Sequence, residues 1–269
     1  MNFACCRSSG RAKDRDLRGR REVYERQVVT LSGRAMVWRA SAMATPHPLS
    51  RSTFASIRRV SRDQALHMAE REATATGWAK KSDDWFYGEV GFDAMAHALS
   101  RVEPKRKETF LDLGSGTGNA VMAAALTQPF EVCRGVERLF SLHEIALQSL
   151  ASYESDTKQV IRTLQTEAGE GAPSAETWPF HVPKVEFVHG DLLHESMEGV
   201  DVVYSFATCF GRELFNAMAW QLEALRPGAR VLLVSKSLMS PSFELVECVG
   251  LQQTHTEAAV DCYIYHKRY

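Results

Sequence analysis

The chain has 269 residues, of which 45% are hydrophobic, 24% charged and 9% aromatic. This is the composition of a globular protein, and it excludes a fully disordered chain, a collagen-like repeat and a coiled coil. The length suits one or two domains. No run of about 18 apolar residues occurs, so the sequence predicts no transmembrane helix.

Charge is distributed unevenly along the chain. Residues 1–62 hold 14 lysines and arginines against 4 acidic residues, a net charge of +10, whereas residues 63–269 hold 18 against 29, a net charge of −11. We therefore predict a basic arm, either disordered or a targeting segment, ahead of an acidic body. Residues 27–62 lack acidic residues. This fits a mitochondrial or plastid transit peptide, a tail that binds nucleic-acid phosphates, or a tail without a specific partner.

The six cysteines do not have the spacing of a zinc site or a redox motif, because no Cys-x-x-Cys pair occurs. We predict no metal ligands. Four cysteines lie in apolar runs and are predicted to be buried thiols of a protein in a reducing compartment: Cys133, Cys209, Cys248 and Cys262.

The body alternates predicted strands and helices. Strands are predicted at 110–113, 132–136, 185–188, 200–206, 230–235, 243–249 and 260–266. Helices are predicted at 63–80, 90–101, 117–126, 139–153 and 213–225. Alternation of this kind predicts an α/β fold with a doubly wound, Rossmann-like sheet. About ten polar residues separate the last two strands, which predicts an antiparallel last strand. Residues 154–183, with several glycines and prolines, are predicted to be a surface insertion.

The clearest motif is the loop DLGSGTG at 112–118, between a predicted strand and a predicted helix. Its glycines permit a sharp turn and a close approach of ligand to backbone. They are spaced G-x-G-x-G, whereas a dinucleotide site uses G-x-G-x-x-G. Asp112 just before the first glycine would repel a pyrophosphate, but it suits a ligand that carries an ammonium group.

Two further acidic residues follow the next two strands. Glu137 can accept hydrogen bonds from ribose hydroxyls, and Asp191 can accept one from an adenine amino group. Taken alone, each carboxylate could equally be the N-cap of a helix. The three in this order predict S-adenosyl-L-methionine as the cofactor, since that molecule has an ammonium group, a ribose and an adenine.

Six segments carry a resemblance to one family: FYGEVGFDAMAHAL (86–99), FLDLGSGTGNAVMAAA (110–125), GVE (135–137), GDLL (190–193), ATCFGREL (207–214) and LRPGARVLLVSK (225–236). They resemble the disruptor-of-telomeric-silencing methyltransferases, which are class I enzymes dependent on S-adenosylmethionine. The resemblance covers about residues 85–240 in collinear order. It implies a seven-strand methyltransferase sheet and methylation of a lysine on the globular surface of nucleosomal histone three.

The resemblance also implies which residues hold the cofactor. They are Tyr87, Glu89 and Val90 in the loop over the methionine end, Asp112, Gly114, Gly116, Gly118 and Asn119 in the glycine loop, Glu137 and Arg138 at the ribose, and Asp191 and Leu192 at the adenine. Asn119, Arg138 and Leu192 stand where the family has Gln, Lys and Phe.

Two residues are candidates for the methyl-transfer channel itself. Tyr87 belongs to an aromatic strip with Trp85, Phe86 and Phe210, which either walls the channel or belongs to the core. Phe206 stands where the family has Asn. The reaction implied is direct displacement at the sulfonium methyl group, with no covalent intermediate.

These observations predict three parts: the basic arm (1–62), N-terminal helices with a cofactor lid loop (63–108), and the cofactor-binding methyltransferase domain (109–269). The predicted function is lysine methylation of nucleosomal histones in the nucleus, with the arm contacting DNA. Three alternatives remain open. They are an organellar protein-lysine methyltransferase with a cleaved transit peptide, a small-molecule methyltransferase suggested by Phe206, and a module that binds the cofactor without transferring methyl groups. The oligomeric state is left open.

Overall fold

The protein is built around one mixed sheet, seen in a computed structural model that describes residues 48–167, 181–254 and 259–269. Its strands are β1 (Thr109–Leu113), β2 (Val132–Glu137), β3 (Lys184–His189), β4 (Val202–Ser205), β5 (Arg230–Val234), β6 (Phe243–Gln252) and β7 (Ala259–Lys267). They are ordered β3-β2-β1-β4-β5-β7-β6. The first five are parallel, and β7 runs antiparallel between β5 and β6. The predicted seven-strand sheet with an antiparallel last strand is confirmed.

Helices cover both faces of the sheet. In the described part of the chain they are α1 (Pro48–Ile57), α2 (Arg62–Ala75), α3 (Phe92–Ser100), α4 (Asn119–Thr127), α5 (Phe140–Glu167) and α6 (Arg212–Leu222). Helices α1, α3, α4 and α5 share one apolar core with the sheet, and α6 packs into a second core on the other face. Because both faces are covered, β5 is buried along its whole length. None of these helices is long and apolar enough to cross a membrane.

The order of the strands determines where the ligand-binding crevice of this class of fold lies. From β1 the sheet extends one way through β2 and β3, and the other way through β4 and β5. Loops that leave the carboxyl ends of β1 and β4 therefore turn to opposite faces, which opens a crevice between them. The glycine loop follows β1, and the residues after β2, β3 and β4 meet it at the same edge.

The structure corrects the predicted extent of the basic arm. Residues 48–57 form α1, although they were predicted to belong to an arm ending at residue 62. The ring of Phe54 packs 4.6 Å from that of Phe92, and Ile57 is buried. Phe54 and Ile57 are three residues apart, so they lie on one face of α1, and this face packs on the body. A prediction based on charge alone does not detect it. The rest of the predicted arm, residues 1–47, lies outside the described residues.

Helix α5 is also longer than predicted. It runs to Glu167, whereas the predicted helix ended at residue 153 and a surface insertion began at 154. Tyr153 and Thr157 are buried, and Val160 packs against the main core, so the apolar stripe continues at helical spacing. The central part of the predicted insertion, residues 168–180, lies outside the described residues.

Two of the four predicted buried thiols are only partly buried. Cys133 and Cys262 are fully enclosed, whereas Cys209 and Cys248 are half-buried. Burial raises the pKa of Cys133 well above its usual range and that of Cys248 to about 12. These two thiols therefore stay protonated and unreactive at neutral pH.

A buried ion pair joins the start of β1 to β5 across the amino-terminal edge of the sheet. The two terminal nitrogens of the Arg230 guanidinium donate to the two Glu108 carboxylate oxygens, at 3.0 and 2.5 Å. The third nitrogen, Nε, donates to the Val102 carbonyl. Burial opposes ionisation of Glu108, but the bonds from Arg230 and from the Lys105 amide outweigh it and lower the pKa of Glu108. Each charge is therefore stabilised by its partner.

We expect Glu108→Gln to lower the free energy of unfolding by about 3 kcal/mol, because it leaves the Arg230 guanidinium buried without its counter-charge. Urea denaturation followed by circular dichroism measures the change. Glu131→Gln, at an exposed position near the same sheet edge, is the matched control. A loss below about 0.5 kcal/mol, the size of an ordinary surface substitution, would show that the pair contributes little.

Candidate active site

The glycine loop adopts a backbone that residues with side chains rarely adopt. Gly114, Gly116 and Gly118 have φ angles of +86°, +54° and +83°. The amide groups of Gly114 and Ser115 donate to the Val136 carbonyl at 3.0 and 2.9 Å, so the loop folds back on the end of β2. Gly114 and Gly116 line the crevice. A Cβ atom added to Gly116 would lie 2.4 Å from the Tyr87 ring, so the missing side chain is what lets this ring pack on the loop.

Glu137, at the end of β2, closes the glycine loop from the other side. Its two carboxylate oxygens accept the amide groups of Gly116 at 2.7 Å and Leu139 at 2.8 Å. Burial raises the pKa of Glu137, although these amide donors work against the shift. Each oxygen keeps a second lone pair, and Glu137 lines the crevice. It can therefore hold the loop and still accept hydrogen bonds from the hydroxyls of a ribose.

Asp112 provides an open acceptor directly behind the loop. It is 2% exposed, and its Oδ1 has no hydrogen-bond partner among the described residues. Burial raises the pKa of this carboxyl well above its usual range, and the charge of Glu137 raises it further. A buried carboxyl that lacks a partner fits a ligand ammonium group, which would stabilise the ionised form. The residues present therefore fit the amino-acid end of S-adenosylmethionine.

The predicted lid loop is tied to the glycine loop through a network of hydrogen bonds. The Tyr87 hydroxyl donates to Glu89 at 2.7 Å and lies 2.9 Å from the Thr117 hydroxyl. The Asn119 amide donates to the same Glu89 oxygen at 2.6 Å. Burial and the charge of Glu89 raise the pKa of Tyr87 well above its usual range. The Tyr87 phenol therefore stays protonated, so Tyr87 does not act as a general base at neutral pH.

The opposite end of the crevice is closed by Asp191 and Arg138. One Asp191 oxygen accepts the Leu193 amide at 3.0 Å, and the other accepts Arg138 at 3.1 Å. The Arg138 guanidinium lies over the Trp78 ring, 4.7 Å from its centroid. Trp78, Arg138 and Leu192 all line the crevice here. Flat and apolar surfaces of this kind suit an adenine ring.

These residues enclose one cleft with about 670 Å³ of space, counted together with its open mouth. Eight of the predicted site residues line it: Tyr87, Gly114, Gly116, Glu137, Arg138, Asp191, Leu192 and Phe206. The other five lie outside the lining: Glu89, Val90, Asp112, Gly118 and Asn119. Among these five, Glu89 contacts the cleft residue Tyr87 directly, and Asn119 is linked to it through Glu89.

The aromatic strip lies at the cleft together with Phe206. Trp85, Phe86, Phe206 and Phe210 all line it. A Cβ atom added to Gly88 would lie 2.4 Å from the Phe206 ring, so this ring packs directly on the lid backbone.

Sequence reasoning missed several lining residues: Trp78, Asp84, Leu139, Leu142 and Leu214. Asp84 joins the lid to the start of α6, because its carboxylate accepts the Gly211 amide. The signal that could have found Trp78 and Asp84 is their position beside the aromatic segment 85–87. The leucines give no such signal, since their spacing is that of ordinary core residues.

Comparisons with known proteins agree with this geometry. A family model described as "Histone methylation protein DOT1" matches residues 78–263. The "Histone-lysine N-methyltransferase, H3 lysine-79 specific" of Drosophila melanogaster is 24% identical over 165 residues, which are 60% of this chain and 8% of the Drosophila protein. The chain therefore spans less than a tenth of that relative's length.

A solved structure supports the fold alone. The rRNA methyltransferase AviRa of Streptomyces viridochromogenes is 10% identical and has a TM-score of 0.50, with coverage of 83% of this chain and 96% of that one. The likeness extends over nearly the whole of that protein.

We expect the affinity for S-adenosylmethionine to rise with pH until the raised pKa of the free Asp112 carboxyl is passed. Below that pKa the carboxyl must lose its proton to bind an ammonium group, so binding releases a proton. Asp112→Asn should weaken binding about 10- to 100-fold, the value of a hydrogen bond to a charged group. Calorimetry in two buffers of different ionisation enthalpy measures both effects.

Asp83→Asn, an exposed carboxylate in the same lid segment, serves as the control and should leave affinity and proton release unchanged. Glu137 is also buried and could also release a proton on binding. The proton release that remains in Asp112→Asn is the contribution of Glu137. Affinity that is independent of pH in the unsubstituted chain would contradict the assignment of Asp112.

Proposed function

Because this chain belongs to the family described as histone methylation protein DOT1, we propose that it is an S-adenosylmethionine-dependent protein-lysine methyltransferase that acts on a nucleosomal histone. One observation carries the proposal. The matched range contains both the open carboxyl of Asp112, which suits the cofactor, and an aromatic cleft with Phe206 and Phe210, which suits an acceptor side chain.

We propose that the predicted cofactor residues act as a preorganised cradle. The cofactor supplies an electrophilic methyl group on a sulfonium. Asp112 would accept its ammonium group, the backbone of Gly114 and Gly116 lines the cleft beside it, and Glu137 would accept from the ribose hydroxyls. Because these groups are held in place before the cofactor binds, little conformational entropy is lost on binding.

The aromatic walls of the cleft prepare the acceptor amine. A lysine ammonium must lose its proton before it can attack the methyl group. An apolar wall of Trp85, Phe86, Phe206 and Phe210 disfavours the charged form and lowers the amine pKa. Tyr87 and Phe206 then shape the channel and align the amine, and neither takes up the proton. Alignment of this kind accounts for a large share of the barrier reduction in two-substrate reactions.

The substrate and the location follow from the relatives by analogy. The name of the Drosophila relative specifies lysine-79 of histone H3, and we propose a lysine of the same histone as the target here. Such a substrate lies in the nucleus. The basic segment ahead of α1 would contact nucleosomal DNA, because arginines and lysines displace the counterions of phosphates.

A second candidate function has one observation in its favour. Phe206 stands where the family has Asn, and its ring fills the space against Gly88 at the cleft. An aromatic ring at this point narrows the channel and removes a polar group. A methyltransferase that acts on a small apolar amine would gain from this change.

A methyl-transfer assay with radiolabelled S-adenosylmethionine tests the proposal and its alternatives. We expect label on intact nucleosomes, with loss of the label in Asp112→Asn. Free core histones, a metabolite pool and an organelle extract are the parallel substrates. Label confined to metabolites would support the small-molecule alternative, and label confined to the extract would support an organellar enzyme. Cofactor binding without label in any pool would indicate a module without transfer activity.

We expect removal of residues 1–47, which hold 10 lysines and arginines against 4 acidic residues, to weaken nucleosome binding and reduce its salt dependence. The cut lies before α1, so the helix that packs on the body is kept. Binding is measured by gel shift across a salt series. A chain of full length in which these arginines are replaced by glutamine is the control, and it should behave like the truncation. Unchanged binding in both would exclude the arm as the DNA contact.

A further inference from the structure

Glu89 is a buried carboxylate whose two oxygens have different roles. It is 6% exposed. Its Oε2 accepts the Tyr87 hydroxyl at 2.7 Å and the Asn119 amide at 2.6 Å, which ties the lid to the glycine loop. Its Oε1 accepts a guanidinium nitrogen of Arg58. A buried carboxylate is costly unless it is paired with a positive charge, so Arg58 supplies the counter-charge for the acidic group at the centre of the lid.

Arg58 is held in place by its own backbone and side chain. Its amide donates to the Phe54 carbonyl at 3.1 Å, which continues the hydrogen bonding of α1 by one residue. Its Nε donates to the Val60 carbonyl at 3.1 Å. The guanidinium therefore spans the bend after α1 and reaches Glu89 with its Nη2. Two bonds from the one guanidinium, to Val60 and to Glu89, define its orientation.

Helix α1 itself is fastened to the body at two further points. The Ser50 hydroxyl donates to the Leu126 carbonyl at the end of α4, at 2.8 Å, in a buried position. The Ser56 hydroxyl donates to the Asp156 carboxylate of α5 at 2.7 Å. The packing of α1 thus fixes the place from which Arg58 extends.

From these contacts we infer that Arg58 is a positioning residue of the cofactor site, supplied by a segment that lies outside the matched family range of 78–263. It acts through Glu89 and sets where the lid places Tyr87. The inference rests on the proposed function in one respect, namely that the ligand of the site is S-adenosylmethionine.

Loss of the Arg58 charge would leave Glu89 buried and unpaired. The lid would then shift to hydrate the carboxylate, and the bonds from Tyr87 and Asn119 would loosen. Cofactor binding would have to reorder the lid, and this ordering cost would appear as a weaker affinity. A merely structural role for Arg58 would lower stability but leave the affinity of the folded protein unchanged.

Calorimetric titration of the full chain with S-adenosylmethionine tests the inference. We expect Arg58→Met to weaken binding about tenfold or more and Arg58→Lys to restore most of the affinity. Arg51→Met is the matched control. It lies on the same helix and pairs with Asp93 at an exposed position, so it should bind like the unsubstituted chain. In a Glu89→Gln background, where no charge needs a partner, Arg58→Met should change the affinity less than about twofold.

The outcomes separate this inference from the proposed function. Normal affinity in Arg58→Met would overturn the positioning role while leaving the proposed cofactor intact. Equal weakening in Arg58→Met and Arg51→Met would overturn it as well, because the effect would then come from the packing of α1. No binding by the unsubstituted chain would overturn both together. If Arg58→Met does not fold, Arg58→Gln replaces it, alone and together with Glu89→Gln. Weakened binding in the single variant that the double variant lacks supports the inference, and equal binding in both overturns it.

Discussion

Buried carboxylates at the carboxyl edge of the sheet are the constraint on which the site depends. They are at most 9% exposed, so each is stabilised in its charged form only by a partner and is otherwise favoured in its neutral form. Glu137 takes backbone amides from the glycine loop, and Glu89 takes the guanidinium of Arg58. Asp112 is left with an open oxygen and a raised pKa. Two of the acids therefore have partners within the protein, and the third has the unpartnered oxygen that the proposed cofactor ammonium group would need.

The strand and helix pattern could be predicted because it depends on local periodicity. The β1 strand, the glycine loop and α4 follow one another within 20 residues, and their apolar and glycine spacing carries the information. Helix α1 was missed because one arginine and three serines make up four of its ten residues and hide the apolar face. The end of α5 was predicted too early. The glycines and prolines that follow the helix led to a predicted insertion that began at residue 154, which lies inside α5.

Strand-end acids could be predicted for a topological reason. In a parallel sheet the residues after successive strands meet at one edge, so the sequence positions of Asp112, Glu137 and Asp191 are enough to bring them together. Arg58 and Trp78 could not be found in this way. Arg58 reaches the site because α1 packs on α4 and α5, and such packing between distant segments leaves no local pattern. For the aromatic strip the sequence left two interpretations open, and in the structure Trp85, Phe86, Tyr87 and Phe210 all line the cleft.

The position of β7 has a consequence for how the chain reaches its native state. It is the last strand in sequence, yet it lies between β5 and β6. During synthesis β6 leaves the ribosome with no strand beside it to pair with, and β5 remains an open edge. The sheet can close only after β7 has been made. Until then the apolar residues of β5 and β6 are exposed, and this interval is when the nascent chain is most prone to aggregation.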